Sequence, residues 1–384
     1  MSEHGPIVIV GTGLAGYSLA RELRKLDKDT PVILVSADDG VSYSKPMLST
    51  GFTKGKDADG LAQADVDAMQ AQLGIEIRPH TQVTGIDVDA RQLQLADGAL
   101  SYGRLVLACG ADVLRLDIPG DGGDRVFSIN DLGDYRRFRD TLGEGRRVAI
   151  MGAGLIGCEF ANDLRNGGIE VDVIAPCDAL MPGLLPDAAA NAVQRALTDL
   201  GVRFHLGEVV ERIDRADDGV CLSLSDGSTL DADLVVSAIG LRPRTALAAD
   251  AGLAVNRGIQ VNRALETSAP DVYALGDCAE VDGHVLLYVL PLMACARALA
   301  KTLTGERTEV SYGVMPVMIK TPCCPTAAYP PPADAAGDWQ TDADGNSVRA
   351  RFVSPDGELL GFAVTGDFAV EKQALAKEVP PLHG

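Results

Sequence analysis

Two glycine-rich motifs carry the clearest chemical signal in this sequence. In such a motif the first glycine makes a tight turn, the second lets a phosphate group approach the backbone, and the third lets a helix pack on a strand. The pattern G-x-G-x-x-G occurs twice, and the residues predicted to contact a dinucleotide are Gly11, Thr12, Gly13, Leu14, Ala15 and Gly16 in the first copy and Gly152, Ala153, Gly154, Leu155, Ile156 and Gly157 in the second. The sequence therefore predicts two dinucleotide sites.

The elements around the two motifs repeat as well. Each motif follows a short apolar run and opens a helical pattern, and a second apolar run comes after it, at 32–35 and 171–174. This is the order strand, helix, parallel strand. With Gly11 placed on Gly152, 8 of the 16 positions from Ile9 to Arg24 are identical. The chain therefore contains an internal duplication of a nucleotide-binding unit.

An acidic residue about 20 positions after such a motif can bind the hydroxyls of a ribose. In the first copy Asp38 is the best placed, 22 residues after Gly16, and Asp39 is its rival. In the second copy only Asp178 is available. No Lys or Arg lies between Arg165 and Arg195, so nothing local would neutralise a 2′-phosphate, and NADH is favoured over NADPH.

Composition and charge exclude several classes of protein. The 384 residues include 34 Lys and Arg against 54 Asp and Glu, a net charge of −20, which argues against nucleic acid or an anionic membrane as the partner. No apolar run approaches the ~20 residues of a membrane span, and the N-terminus shows no export signal, so a cytoplasmic location is expected. The eight cysteines have no zinc-ligand spacing, and no metal site is expected.

The last segment of the chain has a different pattern. Alternating stretches around 348–353 and 359–364 flank Asp356-Gly357, a hairpin signal, and a helix is predicted over Val370 to Lys377. The expected fold is therefore α/β, with two Rossmann-like dinucleotide-binding domains and a small α+β C-terminal domain that has an antiparallel sheet. The predicted domains are 1–110 with 240–312, 111–239, and 313–384.

The duplicated units, together with Tyr273-Ala-Leu-Gly-Asp277 further along the chain, resemble the flavoproteins of the pyridine nucleotide-disulfide reductase type. The resemblance implies that the first motif holds FAD and the second NADH. It also implies FAD contacts at Gly276, Asp277, Cys109 and Gly110, and an NADH contact at Gly240.

Within that family, the segments 43–49, 152–162 and 287–297 are similar to those of bacterial rubredoxin-NAD reductases. This similarity implies that rubredoxin is the partner and that a hydrocarbon hydroxylase is supplied with electrons. It implies catalytic roles for Glu159 and for Lys45 as its ion-pair partner, although other relatives have a lysine at the position of Thr50. The further FAD contacts implied are Ser36, Pro46, Val83, Val289 and Lys320.

A redox-active cysteine pair is not visible where many family members carry one, because no Cys follows Ser36 until Cys109. Cys323-Cys324 is a weak candidate for that role. Electrons are therefore expected to leave for an external acceptor. A [2Fe-2S] ferredoxin or a flavorubredoxin is an alternative acceptor, and a flavin-bearing sensor resembling apoptosis-inducing factor is an alternative of another class. A positive rim of Lys45, Lys320 and Arg297 is expected at the docking surface.

Overall fold

Each glycine motif follows the central strand of a five-stranded parallel sheet. The structure is a computed structural model that describes residues 5–382. The outer ends of the first and third predicted domains, 1–4 and 383–384, lie outside the described residues.

The first sheet is buried on both faces, as a parallel sheet covered by helices must be. Its strands, in spatial order, are Val272–Ala274, Arg104–Leu107, Ile7–Val10, Val32–Val35 and Glu76–Arg78. The central strand, Ile-Val-Ile-Val, has every side chain buried. Helices Leu14–Leu26 and Val289–Leu303 pack on each other within the same hydrophobic core. A strand from late in the chain thus completes the first sheet.

The second sheet repeats the arrangement of the first. Its strands are Val126–Phe127, Leu234–Ser237, Arg147–Met151, Glu170–Ala175 and Val202–Leu206, all parallel. Helix Leu155–Asn166 follows the second glycine motif and packs on the strand Glu170–Ala175. In both units the motif lies at the carboxyl end of the central strand, which is the ligand-binding edge of such a sheet.

A small antiparallel sheet branches from each unit before the chain returns to the parallel sheet. The three strands are Val83–Asp87, Gln92–Leu95 and Gly98–Ser101 in the first unit, and Val210–Arg215, Val220–Leu224 and Thr229–Ala232 in the second. In each unit an Asp-Gly pair lies where the last two strands are joined, Asp97-Gly98 in the first and Asp226-Gly227 in the second. The duplication therefore extends through the whole unit.

The chain passes from the first unit to the second and back through two short strands that lie side by side, and we call these two strands the crossings. Ala111–Val113 leaves the first unit and pairs antiparallel with Leu241–Pro243, which returns to it. An ion pair between Arg244 Nε and Asp112 Oδ1, 2.6 Å long, joins the same two segments. Two further pairs of short strands are Ile259–Val261 with Ala279–Val281 and Ser42–Tyr43 with Ala62–Ala64.

The C-terminal segment forms a five-stranded antiparallel sheet, so the predicted fold class is confirmed for all three parts. Its strands, in spatial order, are Val317–Ile319, Thr326–Tyr329, Leu359–Thr365, Ser347–Val353 and Asp338–Asp344. The predicted helix over Val370 to Lys377 was too long. The structure has a 3-10 helix, Gly366–Glu371, and then one α-helical turn, Lys372–Leu375. Arg349 of the sheet binds both carboxylate oxygens of Glu371 at 2.6 Å and so holds this segment against the strand.

The remaining helices lie on the surfaces of the two parallel sheets and in their connections. They are Ala58–Leu61, Val66–Leu73, Leu132–Leu142, Asp187–Asp199 and Ala246–Asp250, with 3-10 helices at Lys45–Thr50, Gly123–Arg125 and Gly276–Cys278. Among the helices of residues 5–382, none combines the length and the apolar character that crossing a bilayer requires.

Candidate active site

A cleft of about 2380 Å³ lies where the carboxyl ends of the two parallel sheets and the C-terminal sheet meet. Both glycine motifs line it, as do Lys45, Asp277 and Lys320. A crevice at the carboxyl ends of parallel strands is where α/β sheets bind their ligands. The duplicated motifs therefore open into one shared space, which we call the central cleft.

The first glycine motif has two glycines that the fold itself requires. A Cβ atom at Gly11, whose φ is +119°, would lie 2.3 Å from the carbonyl oxygen of Ala108, and one at Gly16 would lie 2.0 Å from the carbonyl oxygen of Gly11. Gly13 is different, because a Cβ there would meet nothing within 4 Å. Gly13 is also the N-cap of the helix, and no side chain caps it. Free N–H groups and open space therefore coincide at Gly13, as a phosphate group requires.

The second motif repeats this geometry. A Cβ at Gly152 would lie 2.5 Å from the carbonyl oxygen of Ala238, and one at Gly157 would lie 2.0 Å from that of Gly152. Gly154 has open space around it and is an N-cap without a side-chain hydrogen bond. Each unit thus presents an uncapped helix N-terminus to the central cleft.

Asp38 is the acidic residue that the first unit brings to the cleft wall. Its Oδ1 accepts hydrogen bonds from Thr12 Oγ1 at 2.8 Å, from Ser36 Oγ at 2.6 Å and from Gly40 N at 3.0 Å. Asp39 accepts a hydrogen bond from Val41 N instead and does not line the cleft. The geometry therefore favours Asp38 over its rival.

Lys45 and Asp277 both line the cleft and interact electrostatically. Burial lowers the pKa of Lys45, and the charge of Asp277 partly offsets that shift. Burial raises the pKa of Asp277, and Lys45 partly offsets it in turn. The ammonium of Lys45 donates to Asn130 Oδ1 at 2.7 Å. The expected ion pair between Lys45 and Glu159 is not formed.

Glu159 pairs with Lys320 instead. Its carboxylate is fully buried and accepts hydrogen bonds from Ser49 Oγ at 2.8 Å, from the backbone N–H of Lys320 at 3.0 Å and from the Lys320 ammonium. The partner comes from the C-terminal domain: Lys320 directly follows the strand Val317–Ile319, and its backbone N–H and ammonium both bind Glu159 of the helix Leu155–Asn166. Neither this partner nor Ser49 was predicted, since no local spacing links residues 49, 159 and 320.

The other predicted site residues divide into those that line the cleft and those that only support it. Gly16, Gly157, Gly276 and Asp178 do not line the cleft, and all the others do. Gly276 has a φ of +78°, and a Cβ there would lie 2.8 Å from the Cβ of Ala15, so it allows close packing behind the cleft. Asp178 is exposed beyond the end of its strand. Val289 is the first residue of its helix, and Pro291 lies in the first turn.

The second unit brings another carboxylate to the cleft, which sequence reasoning missed. Glu208 follows the strand Val202–Leu206 and lines the cleft. It lies just past the end of the neighbouring strand of the sheet, more than 50 residues after the glycine motif, so the usual spacing did not point to it. The expectation that Asp178 serves the second site is therefore not supported by its position.

The thiols of Cys109, Cys323 and Cys324 are not tuned for disulfide exchange. All eight cysteines are free. Burial raises the pKa of Cys323 to about 11 and also raises that of Cys324. A hydrogen bond with Cys278, together with burial, raises the pKa of Cys109 at the cleft wall. A raised pKa keeps a thiol protonated and unreactive.

Comparison with known proteins agrees with this geometry. Residues 5–300 match the pyridine nucleotide-disulphide oxidoreductases. The chain belongs to that family. Its expected cofactors, FAD and NADH, and its expected class, an oxidoreductase, are those of the family and are confirmed. Residues 309–379 match a second family, described as the rubredoxin binding C-terminal domain.

Individual relatives cover almost the whole chain. A rubredoxin-NAD(+) reductase of Alcanivorax borkumensis is 54% identical over 98% of this chain and 99% of its own. A rubredoxin-NAD(+) reductase of Acinetobacter baylyi is 43% identical over 98% of each chain. Among solved structures, a ferredoxin reductase from Rhodopseudomonas palustris superimposes with a TM-score of 0.86 at 28% identity, over 98% of this chain and 95% of that one.

Proposed function

We propose that this chain is an NADH-dependent FAD enzyme that passes electrons to rubredoxin. One observation carries the choice of acceptor: residues 309–379 match a rubredoxin-binding domain, and this same domain contributes Met318 and Lys320 to the central cleft. Bound FAD supplies the chemistry that side chains lack, because it accepts a hydride and releases two electrons singly. The chain's own residues bind, orient and enclose the reactants.

The first unit fits FAD. Its uncapped helix N-terminus and the open space at Gly13 suit a pyrophosphate, and the Asp38 cluster suits a ribose diol. We assign to FAD the cleft-lining residues Gly11, Thr12, Gly13, Leu14, Ala15, Ser36, Asp38, Lys45, Pro46, Val83, Cys109, Gly110, Asp277 and Val289. Gly16 and Gly276 support them through close packing.

The second unit fits NADH. Its motif presents the same uncapped N-terminus at Gly154, and Gly152, Ala153, Leu155, Ile156 and Gly240 line the cleft beside it. We divide the chain accordingly into 1–110 with 240–312, 111–239, and 313–384. Two features support this division: Val272–Ala274 joins the first sheet, and the crossing strands lie at 111–113 and 241–243.

Glu159 connects the three parts at the centre of the cleft. Its carboxylate is held by Ser49 from the first unit and by Lys320 from the C-terminal domain, while the residue itself belongs to the second unit. Burying a carboxylate is costly unless it is paired and hydrogen-bonded, and here both conditions are met. We therefore assign Glu159 the role of fixing the relative positions of the groups that surround the reacting ends of FAD and NADH.

The mouth of the cleft suits contact with a protein. Tyr288, Val289, Leu290 and Met318 line it with 38–50% of their surface exposed. We call these four residues the apolar rim. Exposed apolar groups gathered at one place mark interaction sites. The three expected cations do not form a positive rim together, because the charge of Lys320 is paired with Glu159 and Arg297 does not line the cleft, which leaves Lys45 alone of the three.

A hydrocarbon hydroxylase system is the proposed destination of the electrons, by analogy with the relatives that reduce rubredoxin. We place the enzyme in the cytoplasm, where NADH is available. Eight free cysteines and the lack of any disulfide among residues 5–382 are consistent with a reducing compartment.

Steady-state NADH oxidation with three acceptors tests the proposal. Rubredoxin, a [2Fe-2S] ferredoxin and oxygen are compared at equal concentration, and kcat/KM for rubredoxin is expected to be at least about tenfold the highest of the others. If ferredoxin were reduced as efficiently as rubredoxin, the assignment of rubredoxin as the acceptor would be wrong. A reduced complex that is slow to reoxidise with every acceptor would favour the sensor function.

A pair of variants tests the docking surface separately. Met318→Ser removes apolar area from the rim, whereas Val370→Ser does the same at an exposed valine that does not line the cleft. We expect only Met318→Ser to raise the KM for rubredoxin, by about threefold. NADH oxidation with ferricyanide should be unchanged in both. A similar response to rubredoxin in the two variants would place the docking surface elsewhere.

A further inference from the structure

The hydrogen bonds at the ends of the parallel strands allow the two units to be aligned residue by residue. In the first unit Thr81 N donates to Ser36 O at 2.7 Å and His80 N donates to Asp38 O at 2.8 Å. In the second unit Glu208 N donates to Ala175 O at 3.1 Å, and a matching bond joins Gly207 N to Cys177 O at 3.3 Å. Each pair of bonds joins the same two strands of its sheet, so the correspondences are Ser36 with Ala175, Asp38 with Cys177 and Thr81 with Glu208.

This alignment shows that the second unit lacks the polar cluster of the first. The first unit has Thr12, Ser36 and Asp38, joined by hydrogen bonds. The equivalent residues in the second unit are Ala153, Ala175 and Cys177. None of these side chains can accept two hydroxyl hydrogen bonds as a carboxylate can. The second unit must therefore bind the ribose of its dinucleotide with a residue from another position.

Glu208 occupies the position from which a longer side chain can reach the same place. It lines the cleft, and its backbone N–H is fixed to the end of the neighbouring strand at Ala175. In the first unit that position is held by Thr81, beside Ser36 and Asp38. The first unit therefore has its carboxylate, Asp38, at the end of the second strand, whereas the second unit has its carboxylate, Glu208, at the end of the neighbouring strand.

Ser225 holds the Glu208 side chain in place and leaves part of it free. The Ser225 hydroxyl donates to Glu208 Oε2 at 2.5 Å and accepts from Val209 N at 3.0 Å, so its orientation is set from both sides. Glu208 Oε1 has no hydrogen-bond partner among residues 5–382. An ionised carboxylate with one oxygen anchored and the other open is suited to accept a hydroxyl of a ligand.

The charges around this position would oppose a phosphate group. The basic residues that line the cleft within the described chain are Lys45, Arg115, Arg242, Arg244 and Lys320. All of them lie outside the segment 126–237 that contains the five strands of the second sheet. A 2′-phosphate on the adenosine ribose would meet the Glu208 carboxylate with no cation from that sheet to offset the repulsion.

We propose that Glu208 is the residue that selects NADH over NADPH, by accepting hydroxyls of the adenosine ribose and repelling a 2′-phosphate. This inference rests on the proposed function only in taking the second unit as the NADH site. Ser225 is a positioning residue that acts through Glu208.

Calorimetric titration of the FAD-loaded protein with NAD⁺ and NADP⁺ tests this assignment without any electron acceptor. The wild type should bind NAD⁺ at least about tenfold more tightly than NADP⁺. Glu208→Gln keeps the size of the side chain but removes its charge, and should reduce that ratio to about twofold, with weaker NAD⁺ binding and stronger NADP⁺ binding. An unchanged ratio in Glu208→Gln would overturn the assignment.

Two matched variants make the result specific. Glu211→Gln removes an exposed charge three residues away that does not line the cleft, and should leave the ratio unchanged. Asp178→Asn tests the rival carboxylate and should also leave it unchanged. If Asp178→Asn rather than Glu208→Gln abolishes the selectivity, the rival is correct.

Ser225→Ala should raise the Kd for NAD⁺ by about threefold while leaving most of the selectivity, because the charge remains.

A third ligand separates ribose recognition from adenine recognition. Nicotinamide hypoxanthine dinucleotide has the ribose of NAD⁺ but lacks the adenine amino group. Glu208→Gln should weaken its binding by the same factor as that of NAD⁺. A wild-type Kd already as weak as that of the variant would assign Glu208 to the adenine amine and overturn the proposal.

Failure of rubredoxin reduction alone would leave these binding results intact, whereas a wild type that binds neither dinucleotide would refute both proposals.

Discussion

The two nucleotide-binding units share a backbone but place their acidic groups differently. Both use a glycine with open space around it at an uncapped helix N-terminus. In the first unit a carboxylate lies at the end of the second strand, within a cluster of hydroxyls. In the second unit the corresponding positions are apolar or sulfhydryl, and the carboxylate lies at the next strand end. The phosphate site depends on the backbone and is retained, whereas the ribose site depends on side chains and has diverged.

The largest expected effect comes from filling the open space at the two equivalent glycines. Gly13→Leu should fold, because its φ is −72° and a Cβ meets nothing within 4 Å, but the larger side chain occupies the phosphate position. We expect complete loss of FAD, measured as flavin absorbance per chain. Gly154→Leu should retain FAD and raise the KM for NADH by at least about 30-fold. Equal loss of FAD in both variants would show that the two motifs are assigned wrongly.

The next effect concerns the ion pair that joins the second unit to the C-terminal domain. Lys320→Met leaves the fully buried Glu159 carboxylate without its cation, although Ser49 and a backbone N–H still donate to it. The free energy of unfolding should fall by about 2 kcal/mol in urea denaturation. Lys377→Met, at an exposed lysine, is the control and should change it by less than about 0.5 kcal/mol. Similar values for the two would mean that the buried pair contributes nothing measurable.

A smaller effect distinguishes the two neighbouring aspartates of the first unit. Asp38→Asn should raise the Kd for FAD by about tenfold, since the amide accepts hydroxyl hydrogen bonds less strongly than a carboxylate. Asp39→Asn should change it by less than about twofold, because Asp39 does not line the cleft. Reconstitution of the apoprotein with FAD gives both constants. A larger effect at Asp39 would reverse the assignment and would make the two units more alike than the structure indicates.

The smallest effect is that of salt on acceptor reduction. The chain carries a net charge of −20, but the apolar rim itself is uncharged. Salt screens the overall repulsion from an acidic rubredoxin and hardly affects apolar contact. The rate of rubredoxin reduction should therefore rise by no more than about twofold between 50 and 300 mM salt in stopped-flow experiments. A steep fall would reveal attraction between opposite charges at the docking surface.

The fold and the phosphate sites could be predicted because their requirements are local. The close approaches at Gly16 and Gly157 are each made to a carbonyl oxygen five residues earlier, within the motif itself, and the motif also contains the positive φ of Gly11 and Gly152. Asp38 was identified for the same reason, since only one helix and one strand separate it from the motif. The partner of Glu159 could not be predicted, because Lys320 arrives from another domain 161 residues later. Glu208 was missed because strand order in the sheet, rather than sequence spacing, brings it to the cleft.

The antiparallel pairing of Ala111–Val113 with Leu241–Pro243 bears on how such a molecule could arise. Because the two crossings are hydrogen-bonded neighbours, the second unit begins and ends at points about 5 Å apart. A segment whose two ends emerge side by side can be inserted into a pre-existing loop without shifting any strand of the host sheet. Duplication of one ancestral unit, followed by insertion of the copy into its twin, therefore requires no rearrangement of the original core.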